Sequence, residues 1–205
     1  AEIIASGLVK PDDIPNFANK IHKESGRLLS LISDIMELSQ LDEKFSDEEF
    51  APVDLAGVAA EVAEDLRSNA EKHGITITVD TKTAVINGNR NQIYELIYNL
   101  CDNAIRYNRE NGSVKIITGD DNEHPFVKVA DTGIGIAPEE QGKVFERFYR
   151  VDKSRSKARG GTGLGLAIVK HAALYHHATL DLSSELGVGT TITVTFPIRQ
   201  DEPFA

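Results

Sequence analysis

The hydrophobic period of this chain changes once, near residue 50, and that change divides what it can fold into. Before it, Ile14, Phe17, Ile21, Leu28, Leu31, Ile35 and Leu38 follow the alternating three-and-four spacing of a heptad seam. Leu29, Ile32 and Met36 widen the seam into the broad apolar face of a bundle helix, with Glu24 interrupting it. The segment 10–15 (KPDDIP) supplies an acidic, proline-bearing helix start. Residues 1–6 read as the last turns of another helix, closed by Gly7. The opening is expected to be a helical hairpin with its first arm almost entirely missing. One amphipathic helix is not stable alone in water, so this one has to pack on something.

Residues 43–53 (EKFSDEEFAPV) are acidic and read as a linker. Beyond them helices and strands alternate. Helices are expected at 54–73, closed by Gly74, at 91–107 and at 166–176. Strands are expected at 75–79, 85–86, 114–117, 126–129, 180–182 and 191–196, with an acidic turn at 120–124. A glycine-rich irregular stretch fills 131–165. This pattern predicts an α+β fold, a two-layer sandwich with a mixed sheet and helices on one face.

At 205 residues the chain has room for one domain and an appendage, or for two small domains. The net charge of -10 argues against nucleic acid as the main partner, because phosphate backbones are met with basic surface. The one cysteine, Cys101, excludes an internal disulfide and fits a reducing compartment. No apolar run approaches the roughly 20 residues that span a bilayer, so no membrane contact is expected of these residues.

Four motifs carry chemistry, and their order says more than any one of them. On the helix 91–107, Asn99 and Asn103 stand four apart and share a face opposite the apolar residues Ile93, Leu96, Ile97, Leu100, Ala104 and Ile105. Two amide oxygens side by side can coordinate Mg²⁺, which accepts a few protein oxygens together with phosphate and water. Arg106 and Tyr107 continue that face, placed to meet phosphate and to cover a base. Asparagine is a poor mid-helix residue, which weighs against a merely polar helix face.

The second motif, Asp131-Thr132-Gly133-Ile134-Gly135-Ile136, follows a strand directly. A carboxylate there can accept from the amino group of adenine, while glycines let backbone approach a flat ring. The third, 145–150 (FERFYR), has two phenylalanines three apart that can anchor a segment whose arginines point elsewhere. The fourth, 160–166 (GGTGLGL), opens a helix whose free amides suit a di- or triphosphate. It does not follow a strand in a βαβ unit, which rejects a dinucleotide-binding reading. Between the last two motifs the charge reverses. Residues 143–159 hold seven basic side chains (Lys143, Arg147, Arg150, Lys153, Arg155, Lys157, Arg159) against Glu146 and Asp152, and read as a basic lid over polyphosphate.

In this order the motifs resemble the four nucleotide boxes of the histidine-kinase catalytic domain, a branch of the ATPase family shared with gyrase, Hsp90 and MutL. The stretch 187–190 (GVGT) resembles a further glycine box. The resemblance implies ATP and Mg²⁺ as cofactors, with Asn103 and Asn99 on the metal and Asp131 on the adenine amino group, lined by Gly133 and Gly135. Tyr107 would pack near adenine, with Arg106, Tyr149 and Arg150 near ribose or phosphates. Gly161, Gly163, Leu164, Gly165 and Leu166 would cradle the phosphates, and Thr191 would complete the ATP set.

The opening segment, ending in 37–42 (ELSQLD), is similar to the second half of a dimerisation and phosphotransfer hairpin of the phosphate-starvation and cell-wall sensor type. That implies a division into a partial hairpin, 1–45, and a catalytic ATP-binding domain, 50–200. The phosphoacceptor histidine of that family lies on the first hairpin helix, so it is expected upstream of this sequence. His22, followed by Lys23-Glu24-Ser25, reads as a surface residue, and His171, His176 and His177 as structural ones. The implied function is transfer of the ATP γ-phosphoryl to a histidine, then to the aspartate of a response-regulator receiver domain. A homodimer through the hairpin is implied, in the cytoplasmic portion of a parent anchored in the bacterial membrane. Asn99 stands where gyrase-type relatives carry a water-activating glutamate, and an amide is a poor general base, so ATP should be held without rapid hydrolysis. Two other functions are compatible with the fold. One is a nucleotide-binding docking module; the other, an anti-sigma-type serine kinase, is disfavoured by the long helix and the 145–150 motif.

Overall fold

The computed structural model describes residues 2–43, 50–151 and 163–198. A short helix α1 (Glu2–Ala5) is closed by Gly7, whose φ of +71° lets its N–H reach back to Ile4 O. A 3₁₀ turn (Pro11–Asp13) then leads into α2 (Ile14–Glu43), where the heptad pattern predicted a helix. Phe17, Ile21, Leu28, Leu29 and Ile32 of α2 are exposed.

The remaining elements are β1 (Ala51–Asp54), α3 (Leu55–Lys72), β2 (Thr76–Thr81), β3 (Val85–Gly88), α4 (Arg90–Arg106), β4 (Ser113–Asp121) and β5 (His124–Asp131). They are followed by α5 (Pro138–Gln141), α6 (Gly165–Tyr175), β6 (Thr179–Glu185) and β7 (Gly189–Thr195). The end of the expected linker is corrected here. Residues 51–54 form β1, antiparallel to β3, because burying Val53 draws the segment onto the domain. One apolar position in an acidic stretch is too weak a signal to read as a strand. The irregular stretch 131–165 likewise contains the one-turn helix α5.

The main sheet has the order β2-β4-β5-β7-β6, with β2 and β4 parallel and the other pairs antiparallel. Its strands alternate. Val114, Ile116, Val127, Val129, Ile192 and Val194 are buried, while Lys115, Lys128, Thr191 and Thr193 lie on the other face. The helices α3, α4 and α6 cover the buried face with Leu55, Val62, Leu66, Ile93, Leu96, Ile97, Val169 and Ala173. Each fully buried branched side chain contributes about 1.5–3 kcal/mol, which fixes the helices on one face of a mixed sheet as expected. Between β4 and β5, Asn122 and Glu123 both take positive φ, the two-residue hairpin geometry that matches strand twist.

Two side chains set the helix starts that matter most. Asp54 accepts from Ala56 N at the start of α3, and Asn89 accepts from Gln92 N at the start of α4. The buried His176, at the end of α6, lies against the latter cap. Its Nδ1–H donates to Ala172 O (2.7 Å), so Nε2 is the acceptor for Asn89 N–H (3.0 Å). Burial holds the His176 pKa below its ordinary 6.5. A depressed folded pKa means the unfolded chain binds the proton first. Stability is therefore full above about pH 6.5 and falls as the pH drops through the folded value. Urea unfolding at pH 5.5 is expected to give a stability about 1 kcal/mol or more below that at pH 7.5, with the difference reduced in His176→Gln. An equal pH dependence in the variant would show that His176 is not the group responsible.

Candidate functional site: the face between α4 and α6

The helix α4 is amphipathic, with Ile93, Leu96, Ile97, Leu100, Ala104 and Ile105 buried against the sheet. That orientation turns Asn99 and Asn103 toward the start of α6. Gly165, the first residue of α6, sits directly on them. A methyl group on its Cα would lie 2.9 Å from Asn99 Oδ1 and 3.0 Å from Asn103 Nδ2. The first and fourth motifs therefore meet, though more than 60 residues separate them in sequence. Asn99 Nδ2 donates to Glu95 O (2.9 Å), which leaves its Oδ1 turned toward α6. Leu164, just before the helix, is buried, and Leu166 packs on the core, so hydrophobic burial pins the glycine start in place.

Asp131 ends β5 beside this face. Its Oδ1 accepts from Gly133 N (2.7 Å) and from Thr190 N (3.3 Å). Burial is the largest influence on the carboxyl and raises its pKa above the ordinary 3.8, while the two backbone donors oppose it. The second oxygen, Oδ2, has no hydrogen-bond partner among the described residues, where both donors take Oδ1. The Asp131 loop is tied to α4, since Ile134 N donates to Tyr107 O (3.1 Å).

The glycines of this loop do something other than approach a ring. A methyl on Gly133 would lie 2.5 Å from Tyr107 O, and one on Gly135 would lie 2.0 Å from Glu185 O. Protein backbone, not ligand, is what forbids a side chain there. Gly135 also holds φ of +69°.

Thr191 is a correction. It shares its strand face with Thr193 and Thr195, opposite buried Ile192 and Val194, and so points away from the helices. The β7 residue joined to Asp131 is Thr190. A period-two count from Ile192 and Val194 would have found it.

The third motif is split. Phe145 packs on the core, whereas Phe148 is 56% exposed and holds φ of +64°. Only one of the two phenylalanines is an anchor. Phe148 N donates to Gly163 O (2.9 Å), joining this motif to the middle of the fourth. The Tyr149 hydroxyl donates to Glu140 Oε2, and Lys143 Nζ lies 6.0 Å from the centroid of its ring. Tyr149 is thus held toward α5. Arg106 Nη2 pairs with Asp102 Oδ2 (2.7 Å), which keeps that guanidinium along α4. Arg150 differs: its Nε and Nη2 are buried and have no hydrogen-bond partner among the described residues. Buried guanidinium nitrogens without partners are costly unless an anion meets them. Gly161, and the basic residues Lys153, Arg155, Lys157 and Arg159, lie outside the described residues.

With this geometry in place, the sequence matches a family model described as "Histidine kinase-, DNA gyrase B-, and HSP90-like ATPase" over residues 88–200. The chain belongs to that family. This ATPase-family chain is 38% identical over 202 residues to the sensor-like histidine kinase SenX3 of Mycolicibacterium smegmatis, covering 98% of the chain and 53% of the relative. It is 34% identical over 182 residues to the phosphate regulon sensor protein PhoR of Pseudomonas aeruginosa, covering 88% and 41%. Among solved structures, full-length ShkA in complex with AMPPNP superposes with a TM-score of 0.74 at 30% identity, covering 85% of this chain and 36% of that one. The catalytic domain of sensor histidine kinases is therefore the fold and family of this ATPase chain, which spans about half or less of these relatives' length.

The face also fits a metal carried by phosphate. It offers the two amides of Asn99 and Asn103 beside Gly165. Among the described residues no cluster of three or more His, Cys, Asp or Glu could hold a metal. Amide oxygens such as Asn99 Oδ1 suit Mg²⁺ when phosphate supplies the other ligands.

Proposed function

We propose that this chain is the ATP-binding catalytic region of a two-component sensor histidine kinase. It holds Mg-ATP and presents the γ-phosphoryl group to a histidine, from which an aspartate of a response-regulator receiver domain takes it. The observation that carries this reading is the packing of Gly165 on Asn99 and Asn103. It puts the free amides of a helix start beside two amide ligands, with Asp131 Oδ2 open on the same side of the sheet. The similarity to SenX3 and PhoR, and to ShkA in its complex with AMPPNP, supports it.

Within this reading, Asn99 and Asn103 would hold Mg²⁺, which when bound would offset polyphosphate charge and polarise the transferred group. Asp131 accepts from the adenine amino group, and the α6 amides and Arg150 bind phosphate oxygens. Tyr107 carries its carbonyl to the Asp131 loop and so links base and metal ends. Catalysis is then positioning and charge neutralisation, because the nucleophile is another residue. Residues 1–45 form part of the dimerisation and phosphotransfer hairpin, and 50–200 the catalytic domain, in the cytoplasmic part of a membrane-anchored homodimer.

Asn103→Asp is the direct test. The change keeps size but sets a carboxylate beside the phosphates. Calorimetry with Mg-ATP is expected to show at least tenfold weaker binding, with the melting temperature of the free protein within about 2 °C of the parent. Unchanged affinity would remove Asn103 from the metal site.

A further inference from the structure

Ser184, on β6, is a residue that no nucleotide motif contains, yet its hydroxyl joins three segments around Asp131. It accepts from Ile136 N (2.8 Å), which belongs to the Asp131 loop. It donates to Gly189 O (3.0 Å) at the start of β7. It also lies 2.8 Å from Thr190 Oγ1. A serine hydroxyl has one proton and two lone pairs. Gly189 O is a carbonyl and can only accept, so the single Ser184 proton belongs there. The Ile136 N–H uses one lone pair. The remaining lone pair faces Thr190, and Thr190 must therefore be the donor in the hydroxyl pair.

The direction of that bond reaches the ligand side. With its proton committed to Ser184, Thr190 Oγ1 has only lone pairs to offer elsewhere. Thr190 also sends its backbone N–H onto Asp131 Oδ1, where Gly133 N already donates. Both donors occupy the same oxygen, so Asp131 keeps Oδ2 as an acceptor. The pocket rim formed by Asp131 and Thr190 thus carries acceptors and no free proton. Such a rim takes a base edge bearing an amino group and repels one bearing a carbonyl, which is the difference between adenine and guanine at C6. Gln141 reinforces the arrangement, because its Nε2 donates to both Ile136 O (2.9 Å) and Ser184 O (3.0 Å).

We propose that Ser184 determines base specificity: by fixing the Thr190 hydroxyl as its donor, it leaves the Asp131 pocket accepting only, and so selective for adenine nucleotides. This rests on the nucleotide reading above. Ser184 touches no substrate in this scheme; it is a positioning residue that acts through Thr190 and Ile136.

The test is calorimetry on the 205-residue chain with Mg-ATP and with Mg-GTP. In Ser184→Ala the ATP dissociation constant is expected to rise by up to about tenfold, because the freed Thr190 hydroxyl no longer presents a fixed acceptor to the base. The preference for ATP over GTP should narrow by a similar factor, since the freed Thr190 hydroxyl can turn and donate to the guanine carbonyl. Ser184→Thr retains the hydroxyl and is expected to restore both values. Thr190→Val keeps the strand shape and the N–H to Asp131, and is expected to narrow the preference even if Ser184→Ala folds poorly. An unchanged ATP-to-GTP ratio in Thr190→Val, or in a folded Ser184→Ala, would overturn the inference and leave ATP binding itself intact. Absence of ATP binding by the parent chain would overturn the nucleotide reading, and this inference with it.

Discussion

Replacing Gly189 by alanine is expected to cost about 4 kcal/mol or more, and to lower the melting temperature by about 10 °C. The residue has φ of +146°, which side-chain-bearing residues rarely adopt. The added carbon would also lie 2.0 Å from Asp131 O and 3.0 Å from Thr132 Cα, both backbone atoms. Backbone cannot swing aside as a flexible side chain can. The collision is relieved only by parting the start of β7 from the end of β5, and that junction carries the Thr190 N–H bond to Asp131. Gly187→Ala is the control. Gly187 has φ of +77° but nothing within 4 Å of an added carbon, so it bears strain alone, about 1 kcal/mol. Circular dichroism melts of the two variants separate strain from collision. Equal losses would show that the close approach at Gly189 does not matter.

Asp131→Asn is expected to leave the fold in place and remove nucleotide binding. Asparagine keeps an oxygen that can accept from Gly133 N and Thr190 N, so the loop geometry survives and stability should change by less than about 1 kcal/mol. At the other position an amide nitrogen replaces Oδ2 and presents two protons to the amino group of the base. Two donors facing each other cost binding twice, through the lost bond and through the unpaired buried polar groups. Sites built around such a bond lose large factors when it cannot form. Calorimetry with Mg-ATP should show affinity reduced by about a hundredfold or more, while the melting curve of the free protein matches the parent. A variant that binds ATP as the parent does would show that the carboxylate does not read the base.

The layer structure is legible in the sequence because hydrophobic periodicity is strong where burial is strong. Helix α4 buries seven residues on one side, and the apolar stretches of β4, β5 and β7 alternate. β1 is not legible, since its burial rests on Val53 within a short acidic stretch. At the site, spacing on one helix is enough to pair Asn99 with Asn103. The neighbours that long-range folding supplies are hidden. No local pattern says that Gly165 lands on Asn99, or that Gly135 is a glycine because Glu185 O is behind it. Ser184 falls on the period-two face of Leu180 and Leu182, so the pattern places it inward, but its partners on the Asp131 loop and β7 are set by long-range folding. Thr191 stands one position from the residue that meets Asp131, and in a strand one position is a change of face.

The bond from Phe148 N–H to Gly163 O has a consequence for how such chains can vary. It fastens the two ends of the intervening stretch to each other on the domain side. Closing a longer loop costs little, about 0.6 kcal/mol per doubling. Lengthening the chain between residues 150 and 162 is therefore expected to add only that small closure cost, because one backbone bond already holds its two flanks together.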